Sequence, residues 1–130
     1  MNNQLNKHVS VIDLASITAD ADTFGAYFPQ KSKIVGAYLV NSASIAQSDT
    51  DKAVITLKNG STSIAAHSTA LTGGTGALTA NTPAAMTLDA ASLDNGGVNV
   101  AAGSYLKVNY DESGTYAMSS AKVIIEWFPL

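Results

Sequence analysis

Residues 98–130 alternate apolar and polar side chains along two extended runs, and that period of two points to β-structure. The first run reads Val98-Asn99-Val100-Ala101-Ala102-Gly103-Ser104 and continues as Tyr105-Leu106-Lys107-Val108-Asn109-Tyr110. The second, after a turn at Asp111-Glu112-Ser113-Gly114, ends in Ala121-Lys122-Val123-Ile124-Ile125-Glu126-Trp127-Phe128-Pro129-Leu130. β-Branched and aromatic residues dominate both, which predicts two strands at the heart of a sheet. In the last run, alternation puts Val123, Ile125 and Trp127 on one face and Ile124 and Phe128 on the other, with Glu126 between them. Both faces are therefore apolar, which is awkward for a lone monomer. One face is expected to pack inside, while Trp127, Phe128 and Leu130 are the candidates for meeting a neighbouring subunit.

Similar signals recur along the rest of the chain. Residues 1–8 form a polar arm, and residues 9–14, 23–28 and 34–41 read as strands, the second halted by Pro29 and the third apolar enough to be covered on both sides. Residues 42–51 are small and polar and suit a loop with at most one helical turn. Asn59-Gly60 between two alternating runs predicts a hairpin closed by a type I′ turn, whose two central residues need positive φ. Residues 68–83 are rich in Thr, Gly and Ala without periodicity and predict a long exposed loop, a possible contact surface. A short strand over residues 84–88 and a tight turn at Asp94-Asn95-Gly96-Gly97 complete the pattern. Short strands at even spacing without a convincing helix predict an all-β antiparallel β-sandwich, jelly-roll-like, with one domain over residues 9–130.

Composition excludes several functions. Only 13% of the chain is charged, and the seven cationic residues are all lysine, against ten acids, for a net charge of -3. Phosphate backbones need a basic patch and base edges are read mostly by arginine, so no nucleic-acid partner is expected, nor a bare membrane surface. The chain has no cysteine, which removes disulfides, thiolate metal sites and cysteine nucleophiles together. No apolar leader segment opens the sequence, which predicts synthesis in a cytoplasm.

No motif supports catalysis or a cofactor. Gly74-Thr75-Gly76 matches half of a dinucleotide fingerprint, but Thr79 stands where the third glycine belongs. The pairs Asp20/Asp22 and Asp49/Asp51 have calcium-loop spacing, but the twelfth positions hold Lys31 and Gly60, so both read as turn formers bonding local backbone. His8 and His67 lack a nucleophile elbow or a metal set and are expected to be solvated. Asn59-Gly60-Ser61 fits a glycosylation pattern but reads as turn chemistry. Trp127, Phe128, Tyr105, Tyr110 and Tyr116 raise the option of an aromatic sugar platform. For Trp127, core burial comes first, a subunit interface second and carbohydrate third. No enzyme activity, metal or cofactor is expected.

The order of these features resembles the tailed-bacteriophage capsid decoration (cement) proteins of the small β-sandwich kind. The residues that carry the resemblance are Phe24 to Phe28 before Pro29, Ile34-Val35-Gly36-Ala37-Tyr38-Leu39-Val40, and the run from Ser48 to Gly60. Ala101 to Val108 and the closing Val123-Ile124-Ile125-Glu126-Trp127-Phe128-Pro129 extend it. The resemblance implies a homotrimer on the outer capsid surface of a virion, at three-fold or quasi-three-fold positions, bound to the major capsid protein and clamping neighbouring capsomers. Asn2, Asn3, Gln4, Leu5, Asn6 and Lys7 are the expected capsid contacts, because a polar arm is worth ordering only against a partner. The competing expectation is a fibre or spike head that binds host-surface glycans, with Tyr116 and residues 71–78 as its contacts.

Overall fold

The computed structural model describes residues 7–130, and every described element is a strand or a loop. Eleven strands follow one another: β1 (His8–Ile17), β2 (Ala21–Phe28), β3 (Ser32–Val40), β4 (Lys52–Asn59), β5 (Thr62–Ser68), β6 (Ala84–Ala85), β7 (Thr87–Leu88), β8 (Leu93–Asp94), β9 (Gly97–Val100), β10 (Ser104–Ser113) and β11 (Met118–Pro129). They form two antiparallel sheets packed face to face as a β-sandwich. The first runs β1-β11-β3-β9-β8 with β6 also on β3, and the second runs β2-β10-β4-β5-β7. Successive strands mostly change sheet, so sequence neighbours such as β10 and β11 lie on opposite layers.

The core follows from the alternation. Ile12, Ile34, Leu39, Val123 and Ile125 point inward from the first sheet, and Phe28, Ile55, Leu57, Ile64, Leu106, Val108 and Tyr110 from the second. Each such side chain contributes about 1.5–3 kcal/mol of transfer free energy when fully buried. Residues 98–130, expected to form two strands at the heart of one sheet, instead supply three, β9 and β11 in the first layer and β10 in the second. Gly103, with φ 83°, sits between β9 and β10, where the chain crosses from one sheet to the other. A run continuous in sequence is thereby divided between layers.

The turns also differ from expectation. Asn59 is already paired with Thr62, so the β4–β5 hairpin closes through Gly60 and Ser61. Gly60 has φ 62°, while neither Asn59 nor Ser61 is left-handed, which is the type II′ pattern. The type I′ signature falls instead between β8 and β9, where Asn95 and Gly96 have φ 51° and 80° between paired Asp94 and Gly97. No helical turn forms in residues 41–51; Ile45 makes a two-way backbone bridge with Leu78. Residues 84–88 divide between the sheets, β6 on β3 and β7 on β5.

β1 already includes His8, the residue placed at the end of the expected polar arm. His8 is opposite Trp127 in register, and the two rings stack at 4.7 Å. Asn2, Asn3, Gln4, Leu5 and Asn6 lie outside the described residues.

Candidate functional site

The outer face of the first sheet carries an apolar band. One rung places Val11, Ile124, Tyr38 and Ala85 side by side across β1, β11, β3 and β6. Val9 and Val11 remain 60% and 46% exposed, and Ile124, Tyr38 and Val40 are only half-buried. The one carboxylate in the middle of this band, Glu126, is satisfied within the chain: Lys7 Nζ lies 3.1 Å from one oxygen, and the Tyr38 hydroxyl donates to the other at 3.3 Å. Phe128 follows Glu126 on the same strand and is half-buried, and Leu130 is exposed just beyond it. Trp127 points the other way. It closes the mouth of the sandwich against the edge of Phe28 at 4.9 Å, and its indole N–H donates to Ser10 Oγ at 2.9 Å.

A second cluster stands on the outer face of the other sheet. Phe24, Tyr27 and Tyr105 are 53%, 60% and 50% exposed. Tyr27 and Tyr105 are directly opposite across β2 and β10, and the Phe24 and Tyr105 rings are tilted together at 5.2 Å. Strict alternation would turn Phe24 and Tyr27 to opposite faces, because they are three residues apart. A bulge reverses the phase between them: Ala26 pairs with Leu106 and Phe24 with Lys107, leaving Gly25 unmatched. Gly25 suits the place because an added Cβ would press to 3.0 Å from Ile12 Cγ2.

Polar groups border these rings. Asp22 accepts from Asn109 Nδ2 at 2.8 Å and from Lys107 Nζ at 3.1 Å, and the Asn109 bond, aided by Lys107, holds its carboxyl below the usual range. Lys107 also lies 5.8 Å from the centre of the Phe24 ring. Lys58 is directly opposite Lys107 on β4, a like-charge pairing that ordinarily opposes sheet formation, and it forms no ion pair among the described residues.

At one end of the sandwich the aspartates tie loops together. Asp49 accepts from the Thr72 N–H at 2.9 Å and from its hydroxyl at 2.7 Å, bonds that lower the Asp49 pKa. Asp51 accepts from the Thr115 N–H at 2.7 Å, and Asp20 from the Glu112 N–H at 2.8 Å. These acids therefore bond backbone far away in sequence, not locally as their turn-like spacing suggests. The Gly/Thr segment is likewise pinned: Thr69, Ala70 and Leu78 are buried, and His67 Nε2 donates to the Gly76 carbonyl at 3.0 Å. His67, expected in solvent, is thus core. An open groove of about 470 Å³ lies between this segment and β5, lined by Ser63, Ser68, Thr75, Thr87 and Asp89 among others.

No family model, curated protein or solved structure matches this chain.

Its own geometry therefore carries the functional argument. Of the five aromatics singled out from sequence, Tyr110 and Tyr116 are buried, and burial raises both phenols above their ordinary pKa. Trp127 and Phe128 are half-buried, and only Tyr105 stands in the open. Its partners Phe24 and Tyr27 escaped a reading based on alternation because the phase reversal at Gly25 has no signature beyond the glycine itself. Among the described residues no three of His, Asp and Glu converge as a metal site would require.

Proposed function

We propose that the protein is a structural virion component, a capsid decoration protein that binds the outer capsid surface as a homotrimer and clamps neighbouring capsomers. The observation that carries this reading is the apolar band of Val9, Val11, Tyr38, Val40 and Ile124 on the first sheet. Its central carboxylate is paired with Lys7 and accepts from the Tyr38 hydroxyl, and Lys122 beside Val40 is paired with Asp13, so these charges are matched within the chain. The band suits an apolar surface without a countercharge, and another copy of the chain supplies one. Three identical contacts held in one rigid trimer gain avidity on a lattice of matching symmetry, even where each is weak. A clamp bridging a joint between capsomers then opposes their separation. The interface includes Phe128 and Leu130, beside the band, whereas Trp127 acts from behind by closing the core.

The strand order supports a narrower architectural reading too. With the short β6, β7 and β8 set aside, 1-11-3-9 facing 2-10-4-5 is the order two Greek keys produce, a jelly roll.

Light scattering should give a trimer mass, and the trimer should co-sediment with expanded capsids. A stable monomer without capsid affinity would sink the reading. Ile124→Glu should shift the protein to monomer while leaving its β-sheet circular dichroism intact. Deleting residues 2–6, which keeps Lys7 on Glu126 and His8 on Trp127, should weaken capsid attachment without dissociating the trimer. Unchanged attachment would reject the arm as the capsid contact.

A further inference from the structure

We infer that the Phe24–Tyr27–Tyr105 cluster is a binding platform for an acidic oligosaccharide, with uronate-type sugars as the ligand class. Three observations carry this beyond a capsid-clamping role. First, the rings are presented from paired strands of a sheet, so little ordering is needed before a ligand binds. Second, all three are half or more exposed because the bulge at Gly25 turns Phe24 and Tyr27 outward together, the re-aiming of side chains for which bulges are used. Two outward rings 5.2 Å apart offer π-surface to the apolar C–H face of a pyranose.

Third, the polar border has the chemistry that face lacks. Asp22 can accept from sugar hydroxyls, and Asn109 supplies an amide beside it. Lys58 and Lys107 stand together at the aromatic end against Asp22 alone, a local cationic excess on a chain whose net charge is -3. An anionic group on the sugar would relieve the Lys58–Lys107 repulsion, which gives the pairing a purpose. A second copy of the chain fits this surface less well, because interface centres are depleted in lysine and this one places two beside its rings. The apolar band on the opposite sheet meets that requirement better.

The test is an NMR titration of the full chain with an oligogalacturonate and, in parallel, with a neutral malto-oligosaccharide. The uronate should shift amides of β2 and β10, and the neutral sugar should bind more weakly. Tyr105→Ala should lower uronate affinity about tenfold. Lys58→Gln should remove the preference for uronate while retaining binding. Thermal unfolding and light scattering on both variants check that fold and oligomer persist. The inference is overturned if millimolar uronate leaves β2 and β10 unperturbed, if both sugars bind equally, or if Tyr105→Ala leaves affinity unchanged. It is also overturned if that substitution dissociates the oligomer, since the cluster would then be a subunit contact. Capsid co-sedimentation is scored separately, so failure here leaves the clamping role standing.

Discussion

At the scale of single residues, two glycines with similar φ differ in what surrounds them. Gly60 and Gly114 have φ 62° and 81°, but a Cβ at Gly60 meets open space, whereas one at Gly114 collides with the Asp51 carboxylate and the Thr50 carbonyl. Gly60→Ala should cost about 1 kcal/mol from backbone strain alone. Gly114→Ala should cost roughly 3 kcal/mol and free Thr115 from Asp51, which thermal or urea unfolding of the two variants compares directly. Trp127 invites a double-mutant cycle. Trp127→Phe and Ser10→Ala each break the 2.9 Å indole bond and should each cost about 1 kcal/mol, with the double variant losing less than the sum. Asp49 gives a pH prediction. The Thr72 bonds hold its folded pKa below the ordinary aspartate value, so they contribute fully above the unfolded pKa and fade as pH falls through the folded one. The Thr72 amide shift, followed by NMR from neutral to strongly acid pH, should therefore titrate below the ordinary aspartate midpoint. A midpoint at or above it would show that the bond is absent in solution.

At the scale of elements, β11 tests how burial rather than composition sets a strand's worth. Ile125 is fully buried and Ile124, its neighbour, faces outward and is only half-buried. Ile125→Ala should cost about 2–5 kcal/mol, and Val54→Ala, exposed on β4 away from the apolar band, well under half of that, measured by denaturant midpoints on matched samples. β2 tests the bulge. Deleting Gly25 should restore strict alternation and turn Phe24 inward or Ala26 and Phe28 outward, so the variant should unfold at markedly lower temperature. β2 and β11 also show what a sequence pattern conveys. Alternation in β11 was legible because the strand keeps one phase through Val123, Ile125 and Trp127. In β2 it was not, because a bulge changes phase without changing residue type.

At the scale of the whole molecule, the two proposed surfaces lie on different sheets: the first carries the apolar band, the second the exposed aromatic cluster with its charged neighbours. They point away from each other, so one copy can be assembled through its first sheet while leaving its second open. The loop end is held by acids from two loops, Asp20 from one and Asp49 and Asp51 from the other, and the Asp49–Thr72 bonds help to anchor a Gly- and Thr-rich stretch that reads as an exposed loop and is buried at Thr69, Ala70 and Leu78. A pattern read along the chain cannot report bonds such as Asp20 to Glu112 or Asp51 to Thr115, whose partners are distant in sequence.

What the chain determines by itself is its β character, the inward face of strands that keep one phase, such as β11, and the strand-forming character of residues 98–130, since these depend on local alternation and backbone preference. Tertiary structure alone decides which sheet each strand joins, that Gly103 divides one apparent run between two layers, and that Gly25 brings Phe24 into line with Tyr27 and Tyr105. Those outcomes depend on non-local pairing and on the packing of one sheet against the other. They are free-energy differences between partners far apart in the chain, and a local period of two carries no record of them.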